Sequence, residues 1–166
     1  PVIGMVGTIA DVKKSIGVAL TSPGDSLYMI GKTESGGWLG ASLLAEALGY
    51  ENAYAPPPVS LEDEAKHGQF VAKAVNDGLI QAAHDISDGG LIVAVTEMAL
   101  KGQKGADLNI SDDLGTVFGE DQGRYVVAVS YAAAFEAAAS HASVPVSKIG
   151  HVTNANDDCF GTLTVG

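Results

Sequence analysis

A single cysteine, Cys159, stands in the 166 residues, so no disulfide can close within the chain. No run of about 18 apolar residues is present, which leaves no stretch suited to a membrane-spanning helix, and no signal-peptide pattern is visible. Basic residues are scarce too. Nine Lys and Arg face twenty Asp and Glu, and the formal net charge of -11 repels a nucleic-acid backbone and an anionic membrane surface alike. Neither nucleic acid nor membrane is therefore an expected partner. A reducing, cytoplasmic location is the expectation. An anionic small ligand would have to be held by backbone N-H groups, a metal ion or basic residues supplied from elsewhere.

What the chain does have is apolar residues, 46% of the total, and 21 glycines. That is enough material for one packed core with many tight turns, and the length suits one domain of roughly 100 to 200 residues. The chain starts inside the strand-like "PVIGMVGTI" and stops just after the strand-like "GTLTVG". The expectation is a single domain, residues 1-166, excised from a longer multidomain chain.

Between those ends, apolar β-branched runs alternate with stretches of helical spacing. "SPGD" at 22-25 is a turn leading into the strand "SLYMIGK", and Leu39, Leu43, Leu44, Ala47 and Leu48 recur at helical spacing up to Gly49. After the stiff "APPPVS", Ser60 and Asp63 mark a helix start running to about Asn76. "LIQAAHD" reads as a buried strand, and 91-100 as a helix closed by Lys101 and Gly102. "ADLNI" and "GRYVVAVS" read as strands around the acidic segment 111-122, and "AAAFEAAASHA" as a helix by alanine propensity. "VSKIGHV" and "GTLTVG" look like a final strand pair joined by "TNANDD". The pattern predicts an α+β domain, a layered α/β arrangement with a mixed sheet packed by helices.

Three glycine-rich segments could carry chemistry. In "HDISDGGL", residues 84-91, Ser87 or Asp88 can cap the next helix, and Gly89 and Gly90 open backbone conformations closed to other residues. The same geometry exposes N-H groups able to cradle a phosphate, with Asp85 or Asp88 placed to hold a bridging magnesium ion. An EF-hand loop is not a match, because its twelfth position falls on Thr96. In "FGEDQGR", residues 118-124, Glu120 and Gln122 could orient a polar ligand, while the bland alternative is a solvated loop with a surface Glu-Arg contact. "ESGGWLG" at 34-40 lacks the P-loop lysine. The four histidines and Cys159 show no metal-ligand spacing, and no nucleophile can be assigned.

In order, "PVIGMVGTI", "HDISDGGLIVAVTEMA", "FGEDQGRYVV" and "IGHV" resemble the C-terminal portion of the synthetase subunit of phosphoribosylformylglycinamidine synthases, within the aminoimidazole ribonucleotide synthetase-like superfamily. The resemblance implies a C-terminal synthetase-like domain that works beside N-type synthetase domains of the same chain. It also implies a ligase that uses ATP, with ADP and Mg, to convert formylglycinamide ribonucleotide to its amidine in purine biosynthesis. Glutamine supplies the ammonia, through a glutaminase subunit and a small accessory subunit. A substrate-binding Glu-Ser-Gln stretch of the first repeat corresponds by pseudo-symmetry to Glu120, Asp121 and Gln122, with Asp replacing Ser. Asp85, Ser87, Asp88, Gly89, Gly90, Glu120 and Gln122 are thus candidate contacts of an auxiliary nucleotide or phosphate site, and no catalytic role is placed on any residue, His84 included. The alternatives are another ATP-dependent member of the superfamily and a non-catalytic packing domain.

Overall fold

The structure, a computed structural model, describes residues 4, 6-33, 37-50, 55-155 and 162-165. Six strands form one mixed sheet: β1 (Ser26–Ile30), β2 (Ala82–Asp85), β3 (Gly105–Leu108), β4 (Tyr125–Val129), β5 (Val146–Thr153) and β6 (Leu163–Val165), in the order β2-β4-β1-β5-β3-β6. Every neighbouring pair is antiparallel except β3 with β6. Five α-helices accompany it: α1 (Leu43–Ala47), α2 (Leu61–Asn76), α3 (Gly90–Gly102), α4 (Leu114–Phe118) and α5 (Ala132–His141), preceded by a 3-10 turn at Val12–Lys14.

Alternation along the central strands sorts the core into two layers. Leu27, Val126 and Ala128 face one side and pack with Leu91, Val95 and Met98 of α3. Tyr28, Ile30, Val127 and Val129 face the other and pack with Phe70 and Ala74 of α2 and Phe135 and Ala139 of α5. β1 and β4 are buried on both faces, which is why they read as unbroken apolar runs. The expected α+β layering with a mixed sheet is what the chain adopts.

Three local expectations are corrected, and one short helix is added. Residues 6-9 of the supposed opening strand pair with nothing and leave Val6 and Ile9 exposed, while the rest of that stretch, residues 1-3 and 5, lies outside the described residues. The chain first meets the sheet at Gly17, which bridges Ala82 on the outer edge of β2. The helix around Leu39 is only α1, because Ala41 takes a left-handed φ of 53° and Ser42 then caps a new start. The acidic segment 111-122 contains α4, capped by Asp113, whose side chain accepts from the Thr116 N-H at 2.9 Å. β5 and β6 are not partners: β1 and β3 occupy both edges of β5, so β6 adds to the free edge of β3. Most of the turn between them, residues 156-161 with Cys159, lies outside the described residues.

Topology then sets one end of the sheet apart. Ile30 pairs with Tyr125, and so does Asp85, so the chain leaving β1, the chain leaving β2 and the chain entering β4 emerge together. Those are the three glycine-rich segments.

Two outcomes follow for the core. Phe135 is fully buried with ring centroids 5.1 Å from Tyr28 and 5.7 Å from Phe70, so Phe135→Ala should lower stability by about 3-5 kcal/mol in urea unfolding. Tyr28 donates to Glu136 Oε1 at 2.5 Å, and burial, reinforced by Glu136, pushes its phenol up to about 12 from 10.0. A proton held more tightly in the fold stabilises it fully below pH 10, and that contribution is lost as pH rises through about 12. Tyr28→Phe should therefore flatten the alkaline limb of the stability profile over that interval.

Candidate functional site

The junction is built around an ion pair that the sequence did not disclose. Arg124 and Asp121 are 1% and 4% exposed, with Nη2 to Oδ2 at 3.3 Å. Arg124 also donates from Nε to the Asp121 carbonyl at 3.1 Å, from Nη1 to Thr33 Oγ1 at 3.0 Å, and from Nη2 to the Gly119 carbonyl at 2.6 Å. The guanidinium thus holds the 119-121 segment from inside. Burial pushes its pKa down, and Asp121 opposes that shift. A surface Glu-Arg contact was the expectation; the partner is instead an aspartate three residues earlier, and both are buried. An arginine set directly before a doubly buried strand was the one signal that pointed this way.

Fixed in this manner, the loop grips the first glycine-rich segment at Trp38. Trp38 N-H donates to Asp121 Oδ2 at 3.1 Å, and Glu120 N-H donates back to the Trp38 carbonyl at 2.9 Å. Glu120 then points its carboxylate at two helix starts. Oε1 accepts the Leu43 N-H of α1 at 2.8 Å and the Gly89 N-H at the head of α3, also at 2.8 Å. Carboxylates are favoured there by the helix dipoles as well as by the bonds themselves.

This changes the reading of "HDISDGGL". Neither Ser87 nor Asp88 caps α3; Gly89 is the N-cap, with φ 80° and ψ 1°, and no side-chain cap bond is made. Gly90 N-H returns to the Ser87 carbonyl at 3.0 Å, which closes a turn with Gly89 at its left-handed third position. The missing cap comes from Glu120, far along the chain. Gly90 sits against the loop so closely that an added Cβ would lie 2.5 Å from the Phe118 carbonyl carbon, at a φ of 72°.

The candidate residues therefore divide. Gly89 and Glu120 meet directly, Gly90 packs on Phe118 and Gly119 of the same loop, and Gln122 Nε2 reaches the Glu120 carbonyl at 3.4 Å. The N-H groups of Gly89 and Gly90 are both spent within the protein. Asp85, Ser87, Asp88 and Gln122 are exposed on the rim. His84 stands beside them with Nδ1 2.7 Å from the Asp85 carbonyl and Nε2 2.9 Å from Glu97 Oε2, an anchor of β2 to α3. Among the described residues no group of three or more His, Cys, Asp and Glu side chains could hold a metal, and no helix is long and apolar enough to cross a membrane.

Residues 22-160 match the model of the AIR synthase related protein, C-terminal domain family. The chain belongs to that family. It is 45% identical over 93% of its length to phosphoribosylformylglycinamidine synthase subunit PurL of Methylocella silvestris, of which it covers 22%, and 44% identical over 90% of its length to that of Rhodospirillum rubrum, of which it covers 21%. The chain thus spans about a fifth of the length of these curated relatives. Among solved structures it is similar to Thermotoga maritima PurL complexed with FGAR, with a TM-score of 0.74 at 20% identity, covering 86% of this chain and 26% of that one. It is also similar to thiamine-monophosphate kinase from Stenotrophomonas maltophilia, with a TM-score of 0.59 at 18% identity, covering 92% of this chain and 53% of that one. At these identities the likeness is one of fold.

Glu120→Ala should cost about 2 kcal/mol in urea unfolding, because two backbone donors lose their acceptor, and Glu120→Gln, which keeps an amide oxygen there, should cost less than half of that. Asp121→Ala should be worse, about 3-5 kcal/mol, since it strands a buried guanidinium.

Proposed function

We propose that this chain acts as a C-type domain of a phosphoribosylformylglycinamidine synthase, the ATP-dependent ligase that turns formylglycinamide ribonucleotide into its amidine with glutamine-derived ammonia. The observation that carries the reading is the identity to PurL subunits over nearly the whole chain, 45% across 160 residues. In that setting its neighbours are N-type synthetase domains of the same polypeptide, with a glutaminase subunit and a small accessory subunit as partners. The domain contributes one wall of an auxiliary nucleotide or phosphate site, and no reacting group.

On this reading the proposed contacts do unequal work. Gly89 and Gly90 shape the turn and have no N-H left for a phosphate. Glu120 spends Oε1 on the scaffold, which leaves Oε2 for a ligand donor. Asp88 is exposed and makes no hydrogen bond or ion pair, so it is the carboxylate best placed to meet magnesium. Asp85 is the second, although its Oδ1 lies 3.3 Å from His84 Nδ1. Magnesium commonly binds through one or two carboxylates, with waters and phosphate oxygens completing the shell, so this donor set fits the ion only when a nucleotide arrives with it.

The competing reading is a packing domain without a ligand, and the occupied Gly89 N-H favours it. Calorimetry of ADP with magnesium on the complete synthetase polypeptide separates the two. On the proposed reading, Asp88→Asn weakens binding by about tenfold at unchanged melting temperature, as loss of one charge-assisted contact should. Unchanged affinity in that variant, alongside a Gly90→Ala variant that loses stability alone, would favour packing. Failure of the complete polypeptide to consume formylglycinamide ribonucleotide with ATP and ammonia would overturn the ligase assignment itself.

A further inference from the structure

A second region shares only residues 121-123 with the junction above. A cavity of about 200 Å³ is lined by Lys32, Asp63, Glu64, Lys66, His67 and Gln122, among others; Gly89, Gly90 and Glu120 take no part in it.

His67 is its fixed element. The residue is 4% exposed, and Nδ1 lies 2.7 Å from the Gly123 carbonyl. A carbonyl only accepts, so Nδ1 carries a proton and Nε2 is the ring nitrogen left to meet an occupant. Nε2 makes no hydrogen bond, yet no fully enclosed side-chain nitrogen or oxygen among the described residues lacks a partner. Nε2 is therefore reached by solvent, and His67 lines the cavity. A buried ring nitrogen held in one orientation by the other nitrogen's hydrogen bond is a ready recognition element.

Charge around the ring is divided. Lys32 and Lys66 form no ion pair, although the chain has twenty acidic residues for nine basic ones. Asp63 and Glu64, from the first turn of α2, bring the opposite sign to the same cavity without pairing with either lysine. Both cations and both anions are thus available to an occupant. The volume is below the roughly 300 Å³ at which sites for drug-sized ligands begin, which is too small for a whole nucleotide.

We infer that this cavity binds a small zwitterion with the size and charge pattern of an α-amino acid. Its carboxylate meets Lys32 and Lys66, and its ammonium meets Asp63 and Glu64 and donates one N-H to His67 Nε2. The inference is independent of the nucleotide reading, since the cavity residues carrying it are not those of the junction.

The test is side-chain histidine ¹⁵N NMR on the whole chain, titrated with each of the twenty coded amino acids in turn and, separately, with acetate, methylammonium and inorganic phosphate. At least one amino acid should move the His67 Nε2 resonance saturably in the millimolar range, and acetate and methylammonium should bind at least about tenfold more weakly. The Lys32→Met/Lys66→Met variant, both of whose sites are exposed, should keep its melting temperature and lose about tenfold in affinity for that amino acid. The inference is overturned if no amino acid moves the resonance, if acetate or phosphate matches the amino acid, or if the double variant binds it unchanged.

Discussion

The burial of Arg124 beside Asp121 is the constraint on which the functional end of this domain rests. Taking two charges out of water costs several kcal/mol each, and the pair alone at 3.3 Å does not repay that. Here the guanidinium also meets two carbonyls and a threonine hydroxyl, and the carboxylate also takes the Trp38 N-H. Those added bonds are what make the burial tolerable, and they give the loop before β4 a single conformation. With Gly119, Glu120 and Asp121 held, the Glu120 carboxylate arrives at the heads of α1 and α3 together. Three loops that approach one another because of strand order are thereby fastened to one another by side-chain chemistry.

That dependence explains what could and could not be read from the sequence. The central strands and the long helices α2, α3 and α5 were legible because each carries its own periodicity or propensity, and at α2 its own cap as well: Ser60 accepts from Asp63 N-H, as the spacing suggested. The junction was legible only as separate pieces. Gly89 and Gly90 announced a special turn, but the acceptor that completes it is Glu120, 31 residues further on, and no local pattern links the two. Asp121 was visible only as a departure from a resembling motif, not as the buried mate of Arg124. The β5 and β6 pairing failed for a related reason: adjacency in sequence favours a hairpin, whereas the edges of β5 were already taken by strands formed much earlier in the chain.

The same structure separates shape from ligand contact within one motif. A glycine-rich turn before a helix is ordinarily a ready anion site, because its N-H groups are unmatched. In this domain a carboxylate of the protein occupies that position at the head of α3, so the turn is electrostatically satisfied before any ligand arrives. Its glycines are needed for another reason: at Gly90 a Cβ would collide with the backbone of the loop it packs on.

An acidic rim then has a consequence for how a nucleotide could be held there. Asp85, Asp88 and Glu120 surround the junction in a chain of net charge -11, and the nearest guanidinium, Arg124, is sealed beneath it. A bare polyphosphate is repelled by such a surface, and the two backbone N-H groups of the turn are spent. On the proposed reading, binding must therefore draw its positive charge from outside this domain, from a divalent cation carried in with the phosphates or from basic residues of an adjoining domain. The carboxylates that make the wall unfit for phosphate alone are the ligands a hard cation needs, so the domain's contribution is conditional on a partner that brings the opposite charge.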